Sequence, residues 1–147
     1  MNKKLSKVVF FLLANLYVSA FAQIQNSQSL SGTWQFRLDP EDKGLKENWQ
    51  GTSFTDHITL PGTTDEAQYG EKTTGSDFGI LTRTYKYYGP AWYSKEIEIP
   101  SEWNGKHIRM ELERVLWESR VFVDGKEVSV QDALSTPHYH DLGYLSP

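Results

Sequence analysis

Residues 89–145 decide the fold of this chain. They contain Gly89-Pro90-Ala91-Trp92-Tyr93, then Val121-Phe122-Val123-Asp124-Gly125-Lys126, and then Gln131-Asp132-Ala133-Leu134. The first two runs contain β-branched and aromatic residues bounded by turn residues, as is typical of strands. Asp124-Gly125 lies between two alternating runs and favours a type I′ turn, because both central residues of that turn have positive φ. The stretch therefore predicts antiparallel hairpins.

Alternating polarity extends the same pattern over the rest of the chain. In residues 33–38, Trp34, Phe36 and Leu38 share one face, which predicts a half-buried strand. Similar runs predict strands at residues 57–60, 82–88, 92–99, 107–113, 118–123 and 126–130. No segment has helical periodicity of useful length. We therefore expect an all-β fold, an antiparallel β-sandwich.

Residues 1–22 have the pattern of a secretory signal peptide. Lys3, Lys4 and Lys7 precede a largely apolar run, and Ala20-Phe21-Ala22 supplies the small-x-small motif of a cleavage site. The apolar run is too short to span a membrane. We expect an exported protein, in a bacterial periplasm or secreted, with a polar lead-in at residues 23–29 and one domain at residues 30–147.

Composition excludes several classes of function. Removing the three lysines of the signal peptide lowers the formal net charge from −4 to −7, which disfavours nucleic acid and anionic lipid as partners. The absence of cysteine excludes disulfides, thiolate zinc sites and a cysteine nucleophile. No phosphate loop, dinucleotide fingerprint or serine-hydrolase elbow is present, so we expect no cofactor.

The high aromatic content favours carbohydrate as the partner. Aromatic residues make up 14% of the chain, and sugar rings stack their C–H faces on aromatic faces. A sandwich core is also rich in aromatic residues, so each tryptophan has a structural alternative. Candidate sugar contacts are the possible stacking faces and the hydrogen-bonding groups of loops and strand ends: Arg83, Trp92, Trp117, Asp132 and Asp141. For Arg83 the alternative is a surface ion pair, and for the two aspartates it is turn capping.

Neither the carboxylates nor the histidines predict a reactive site. Glu96 and Glu98, like Glu111 and Glu113, lie two residues apart on outward strand faces and are most simply solvated charges. His138-Tyr139-His140 is interpreted as a loop histidine pair, because no third ligand for a metal is nearby in the sequence. We therefore assign no catalytic residue and no metal ligand.

Five segments together resemble a known family, glycoside hydrolase family 2, in its N-terminal jelly-roll or sugar-binding domain. This is the β-galactosidase and β-glucuronidase group. The segments occur in the family's order: Leu30-Ser31-Gly32-Thr33-Trp34-Gln35-Phe36, Leu60-Pro61-Gly62-Thr63, Gly89-Pro90-Ala91-Trp92-Tyr93, Val121-Phe122-Val123-Asp124-Gly125-Lys126-Glu127-Val128 and Gln131-Asp132-Ala133. The resemblance covers residues 30–147 and implies a jelly-roll sandwich similar to galactose-binding domains.

The resemblance also implies where the chemistry of such an enzyme lies. In the family a last strand, an immunoglobulin-like domain and a (β/α)₈ barrel follow, and the barrel carries the two glutamates of the retaining mechanism. We therefore expect a non-catalytic domain, lacking its last strand and marginally stable alone, that supports a barrel and contacts sugar through residues 65–81. A stand-alone carbohydrate-binding module and an inactive truncated gene product remain alternatives.

Overall fold

The computed structural model describes residues 27–147, so the predicted signal peptide lies outside the described residues. Described residues 27–29 of the lead-in are exposed and have no regular structure. The strands are β1 (Gly32–Leu38), β2 (Asp56–Leu60), β3 (Glu71–Lys72), β4 (Tyr85–Lys86), β5 (Ala91–Ser94), β6 (His107–Leu112), β7 (Ser119–Val123), β8 (Lys126–Gln131) and β9 (His138–Tyr144). Two single 3₁₀ turns, Trp49–Gly51 and Ser101–Trp103, are the helical elements of this region. The prediction of an all-β fold is confirmed.

Strand β1 is the centre of a three-stranded antiparallel sheet with the order β2-β1-β5. Phe36 lies opposite Asp56 on one side and Tyr93 on the other, and its side chain is fully buried. The predicted alternation of β1 is confirmed, since Thr33 and Arg37 point outward and are exposed. A period of two therefore turns one face of this sheet toward the core.

Aromatic side chains join the first sheet to the second half of the chain. The ring of Trp92 on β5 stacks on Phe122 of β7 with centroids 5.7 Å apart. The ring centroid of Trp49 lies 6.2 Å from that of Trp92 and 6.5 Å from that of Phe54, so the connection between β1 and β2 is held against the core. Offset and edge contacts of this kind add about 0.5–1.5 kcal/mol per pair to the burial of apolar area.

The second half consists of the two-stranded sheets β6–β9 and β7–β8. Inward residues Ile108, Met110 and Leu112 of β6 alternate with exposed ones, as predicted. The Asp124-Gly125 turn joins β7 to β8 with φ values of 49° and 74°. Positive φ at both positions is the requirement of a type I′ turn, and the predicted hairpin is confirmed.

Two predicted strands are shorter in the structure. The strand predicted over residues 92–99 ends at Ser94, where its ladder with β1 ends at Gln35. Lys95 instead turns its ammonium toward the carbonyl oxygens of Leu30 and Ser31, at 3.3 and 3.0 Å. The edge strand predicted over residues 82–88 is reduced to β4, whose partner β3 is equally short.

The prediction of a histidine loop at residues 138–140 was wrong. His138 and His140 belong to β9 and are fully buried. They lie opposite Leu112 and Met110, which are inward residues of β6. Alternation with the exposed Tyr139 therefore turns both imidazoles into the core.

Candidate carbohydrate-contact site

Two loops lie side by side at one end of the second half. Loop 113–118 joins β6 to β7 and loop 132–137 joins β8 to β9. Because Leu112 pairs with His138 and Ser119 pairs with Gln131, both loops leave the sheets at the same end. The two loops together are called the loop end below. Trp117 and Asp132, two of the five predicted contact residues, are brought together there.

Trp117 is the exposed aromatic residue of the loop end. Its side chain is 66% exposed and its backbone has a φ of 77°, while Arg114 in the same loop has a φ of 56°. Positive φ is costly for residues other than glycine, at about 1–3 kcal/mol each. Leu116 of the same loop and Leu134 of loop 132–137 are 79% and 69% exposed. The loop end therefore presents an apolar surface held by a strained backbone.

Side-chain hydrogen bonds, part of them shielded from solvent, hold both loops. Ser119, which follows loop 113–118, lies with its Oγ 2.5 Å from His138 Nδ1. His138 Nε2 lies 2.7 Å from the carbonyl oxygen of Ala133 in loop 132–137. The Gln131 amide bonds both the N–H and the carbonyl of Tyr139, which ties β8 to β9. The His138 imidazole thus connects the start of β7 to the other loop.

The hydrogen-bond partners of Ser119, His138 and His140 determine which ring nitrogens of the two histidines carry a proton. A carbonyl oxygen only accepts, so neutral His138 carries its proton on Nε2 and accepts the Ser119 hydroxyl proton on Nδ1. His140 Nε2, 2.8 Å away, must then donate to Ser119 Oγ. Its Nδ1 is left buried without a hydrogen-bond partner among residues 27–147. Burial, followed by the nearby His138, holds the pKa of His140 below its ordinary value of 6.5.

The Ser119–His138 contact does not form a catalytic dyad. Both imidazoles are fully buried, and the second nitrogen of His138 is bonded to a backbone carbonyl rather than to an orienting carboxylate. A substrate has no access to an imidazole base buried in this way. The cluster is structural, and the sequence signal that identifies it is the inward alternation of the histidines in β9.

The opposite end of the molecule is organised by Asp39, which sequence reasoning missed. Its carboxylate is buried and accepts hydrogen bonds from the backbone N–H of Lys43 and Gly44, both at 2.8 Å, and from the Trp92 indole at 3.1 Å. Burial alone would raise the pKa of Asp39, but these hydrogen bonds and the nearby Arg37 charge lower it below 3.8. A carboxylate at a strand end, five residues before a glycine, is the available signal.

Three predicted contact residues lie away from the loop end. Trp92 belongs to the aromatic core, which was the structural alternative for it. Asp141 on β9 accepts from the backbone N–H of Gly143 at 2.9 Å and lies 3.1 Å from His107 Nε2. Arg83 is exposed in the connection between β3 and β4.

An open groove of about 470 Å³ lies beside β2, next to the turn at residues 63–66. Its acidic residue, Glu66, already accepts from the backbone N–H and the hydroxyl of Thr63 at 3.0 and 3.1 Å. Within residues 27–147, no three His, Asp or Glu side chains are grouped as a metal ion would require. In the same region no helix is long and apolar enough to cross a membrane.

The arrangement of strands and loops agrees with one family of known proteins. Residues 27–146 match the family described as glycosyl hydrolases family 2, sugar binding domain. The chain belongs to this family. The resemblance derived from five short segments is therefore confirmed.

Its relatives include several β-glucuronidases. The enzyme of Paenibacillus borealis is 26% identical over 115 residues, which are 78% of this chain and 18% of that enzyme. The structure of Ruminococcus gnavus β-glucuronidase in complex with uronic isofagomine matches 79% of this chain with 25% identity and a TM-score of 0.60. Lactobacillus rhamnosus β-glucuronidase matches 78% with 27% identity and the same TM-score. The chain spans 18% of each of these two structures.

Proposed function

We propose that this chain acts as the non-catalytic sugar-binding-type domain of an exported family 2 β-glycosidase, where it supports the catalytic barrel and contacts carbohydrate. The observation that carries the proposal is the family match over residues 27–146. The relatives named above are β-glucuronidases, and a β-glucuronidase is therefore the proposed parent enzyme.

The positions of the carboxylates support a non-catalytic role. Glu96 and Glu98 are exposed in the connection that follows β5, Glu111 is exposed on the outward face of β6, and Glu113 is exposed in the loop that follows β6. A retaining glycosidase needs two carboxyl groups that flank a substrate, with the acid's pKa raised by its surroundings. Exposed, solvated side chains have no such surroundings. Catalysis is therefore assigned to another part of the parent enzyme.

The long connection between β3 and β4 supports a docking role. Phe78, Ile80 and Leu81 are 104%, 71% and 94% exposed, and they form what we call the apolar tip. The base of the tip is ordered, because Asp77 pairs with Lys86 at 2.7 Å and its backbone N–H bonds the Thr82 hydroxyl at 2.8 Å. Neighbouring exposed apolar side chains on a fixed base typically mark a contact surface. The occupant we propose is the barrel of the parent enzyme.

Sequencing the gene past the codon for Pro147 tests the proposal. A continuous reading frame that encodes a barrel with two catalytic glutamates would support it. A stop codon with no barrel sequence behind it would exclude the enzyme-domain form. Titration with sugars would then separate the stand-alone binding module from an inactive gene product.

The exposed indole of Trp117 favours the stand-alone binding module as the second candidate. Aromatic faces on exposed loops are the stacking platforms that a sugar-binding module needs, independently of any barrel. The module predicts measurable affinity of this chain alone for glycosides. A purely supporting domain predicts none, which makes the same titration the deciding measurement.

A further inference from the structure

Trp117 differs from every other tryptophan of the chain. Of the five tryptophans, all within the described residues, it alone is exposed. The indole N–H groups of Trp34, Trp49 and Trp92 donate to Leu30, Glu47 and Asp39 within the fold. Core packing and internal hydrogen bonding therefore account for those three rings and leave the Trp117 ring unexplained.

The backbone conformation of Trp117 is itself energetically costly. A tryptophan at φ 77° lies in a region that β-carbon-bearing residues rarely adopt, and Arg114 at φ 56° adds a second such residue within four positions. Strain of this kind persists where the surrounding structure enforces it, and it concentrates at binding sites. Here the surrounding structure includes the partly buried Ser119–His138–Ala133 hydrogen-bond chain, which joins the two loops.

The charges of the loop end select among possible ligands. Loop 113–118 carries Glu113, Glu118 and Arg114, with Glu118 3.6 Å from Arg120 of β7, and Asp132 of the other loop is also exposed. The carboxylates of Glu113 and Asp132 can accept hydrogen bonds from sugar hydroxyls, but they repel an anionic ligand. A face that combines an indole with an excess of carboxylates fits an uncharged sugar ring better than a uronate.

We propose that the loop end is a subsite for a neutral pyranose unit, with the ring stacked on Trp117 and its hydroxyls bonded by Asp132. The inference rests on the proposed carbohydrate contact of this domain and gives it a location and a ligand class. The aglycone side of a glycan chain, rather than a terminal uronate, is the part of a substrate that such a subsite would hold.

The test uses the ¹⁵N-labelled chain and observes its indole N–H resonances, with the Trp117 resonance assigned from Trp117→Phe. Probes are methyl β-D-glucopyranoside, methyl β-D-galactopyranoside and methyl β-D-glucuronide. We expect a neutral glycoside to shift the Trp117 resonance. Trp117→Ala should weaken its binding about tenfold, whereas Trp117→Phe, which keeps an aromatic face, should stay within about threefold. The glucuronide should bind at least about threefold more weakly at low salt, with a smaller difference in 1 M salt.

Trp117→Gly separates binding from folding. Glycine adopts positive φ without strain, so this variant should lose sugar binding while its thermal midpoint is not lowered. Trp103→Phe is the control for loss of a tryptophan elsewhere and should bind like the parent chain. A fall in the midpoint of the glycine variant would mean that Trp117 packs the fold, which overturns the inference.

The remaining outcomes are distinguishable. If the chain binds glycosides and Trp117→Ala leaves their affinity unchanged, the location is wrong but the carbohydrate role stands. If the glucuronide binds more tightly than the neutral glycosides, the ligand class is wrong. If the folded chain binds none of the probes, the proposed carbohydrate contact fails together with this subsite. Broadening of the Trp117 resonance with protein concentration alone would assign the surface to a second copy and overturn the inference.

Discussion

Trp92 and Trp117 have the same side chain in opposite environments. Trp92 stacks on Phe122 and donates its indole N–H to Asp39, so its ring joins two sheets. Trp117 stands on a loop with a φ of 77° and is 66% exposed. The buried Asp39 carboxylate holds the Trp92 ring in place, and we call the region around it the Asp39 end. The Trp117 ring faces outward from a loop with a strained backbone.

The difference teaches how each end of the molecule is stabilised. At the Asp39 end one buried carboxylate accepts three hydrogen bonds, so the stability of this end depends on a single group. At the loop end a chain of neutral groups, from His140 through Ser119 to His138, holds the loops. Stability is concentrated at the first end, and a binding surface can be presented at the second.

Asp39→Ala should give the largest loss of stability. It removes an acceptor of three hydrogen bonds and leaves the indole N–H of Trp92 without its partner. Hydrogen bonds to charged groups contribute about 1.5–3 kcal/mol each and are not additive, so we expect a loss of about 3–5 kcal/mol in the free energy of unfolding. Urea unfolding followed by tryptophan fluorescence measures it.

Asp132→Ala is the matched control at the loop end. This exposed carboxylate should change stability by no more than about 0.5 kcal/mol. Equal losses in the two variants would mean that stability is not concentrated at the Asp39 end.

Gly44→Ala should have the next largest effect, because it challenges the position of the Trp92 ring. A β-carbon at Gly44 would lie 2.2–2.6 Å from atoms of that ring, which is held by Phe122 and Asp39 and cannot swing away. Overpacking of this kind costs about 1–3 kcal/mol. Gly51→Ala, where a β-carbon meets nothing within 4 Å, is the control. The near-ultraviolet circular dichroism of Gly44→Ala should also change, and an unchanged spectrum with unchanged stability would refute the rigid packing.

Acidification should weaken the loop end before the Asp39 end. The pKa of His140 is lowered in the fold, so between that value and about 6.5 the unfolded chain binds the proton first. Stability is therefore complete above about pH 6.5 and falls as the pH drops toward the folded-state pKa, by at most about 1.4 kcal/mol per pH unit. Because the pKa of Asp39 is lowered from 3.8, protonation of its carboxylate reduces the stability only below about pH 3.8.

His140→Gln tests this assignment, since glutamine does not titrate. The slope of unfolding free energy between pH 7 and pH 5 should decrease in this variant. The hydrogen-exchange protection factors of the amides of residues 132–137, which correct for slower intrinsic exchange in acid, should fall between pH 7 and pH 5 in the parent chain and not in the variant. A slope that persists unchanged would place the titrating group elsewhere.

Backbone pattern was predictable from the sequence, and side-chain environment was less so. Alternation in residues 33–38 and the Asp124-Gly125 turn gave strand and hairpin correctly, because both depend on local geometry. Trp92 and Trp117 were indistinguishable as contact candidates, since their difference depends on Asp39 and on φ. The histidines of β9 were misassigned because their burial depends on pairing with β6, a contact remote in sequence.

Arg114→Gly should give the smallest effect, with a sign opposite to the others. Arg114 adopts a φ of 56°, which glycine adopts without steric cost, so relief of strain should offset the added entropy of the unfolded chain. We expect the free energy of unfolding to rise by about 0.5 kcal/mol or to stay constant. Arg37→Gly is the counterpart at the Asp39 end, where the guanidinium lies 3.6 Å from the Trp49 ring centroid, and it should destabilise by about 1–2 kcal/mol. Chemical unfolding of both variants measures the contrast. A loss at Arg114 as large as that at Arg37 would mean that the loop backbone is not strained, and Trp117 would then need another reason to face outward.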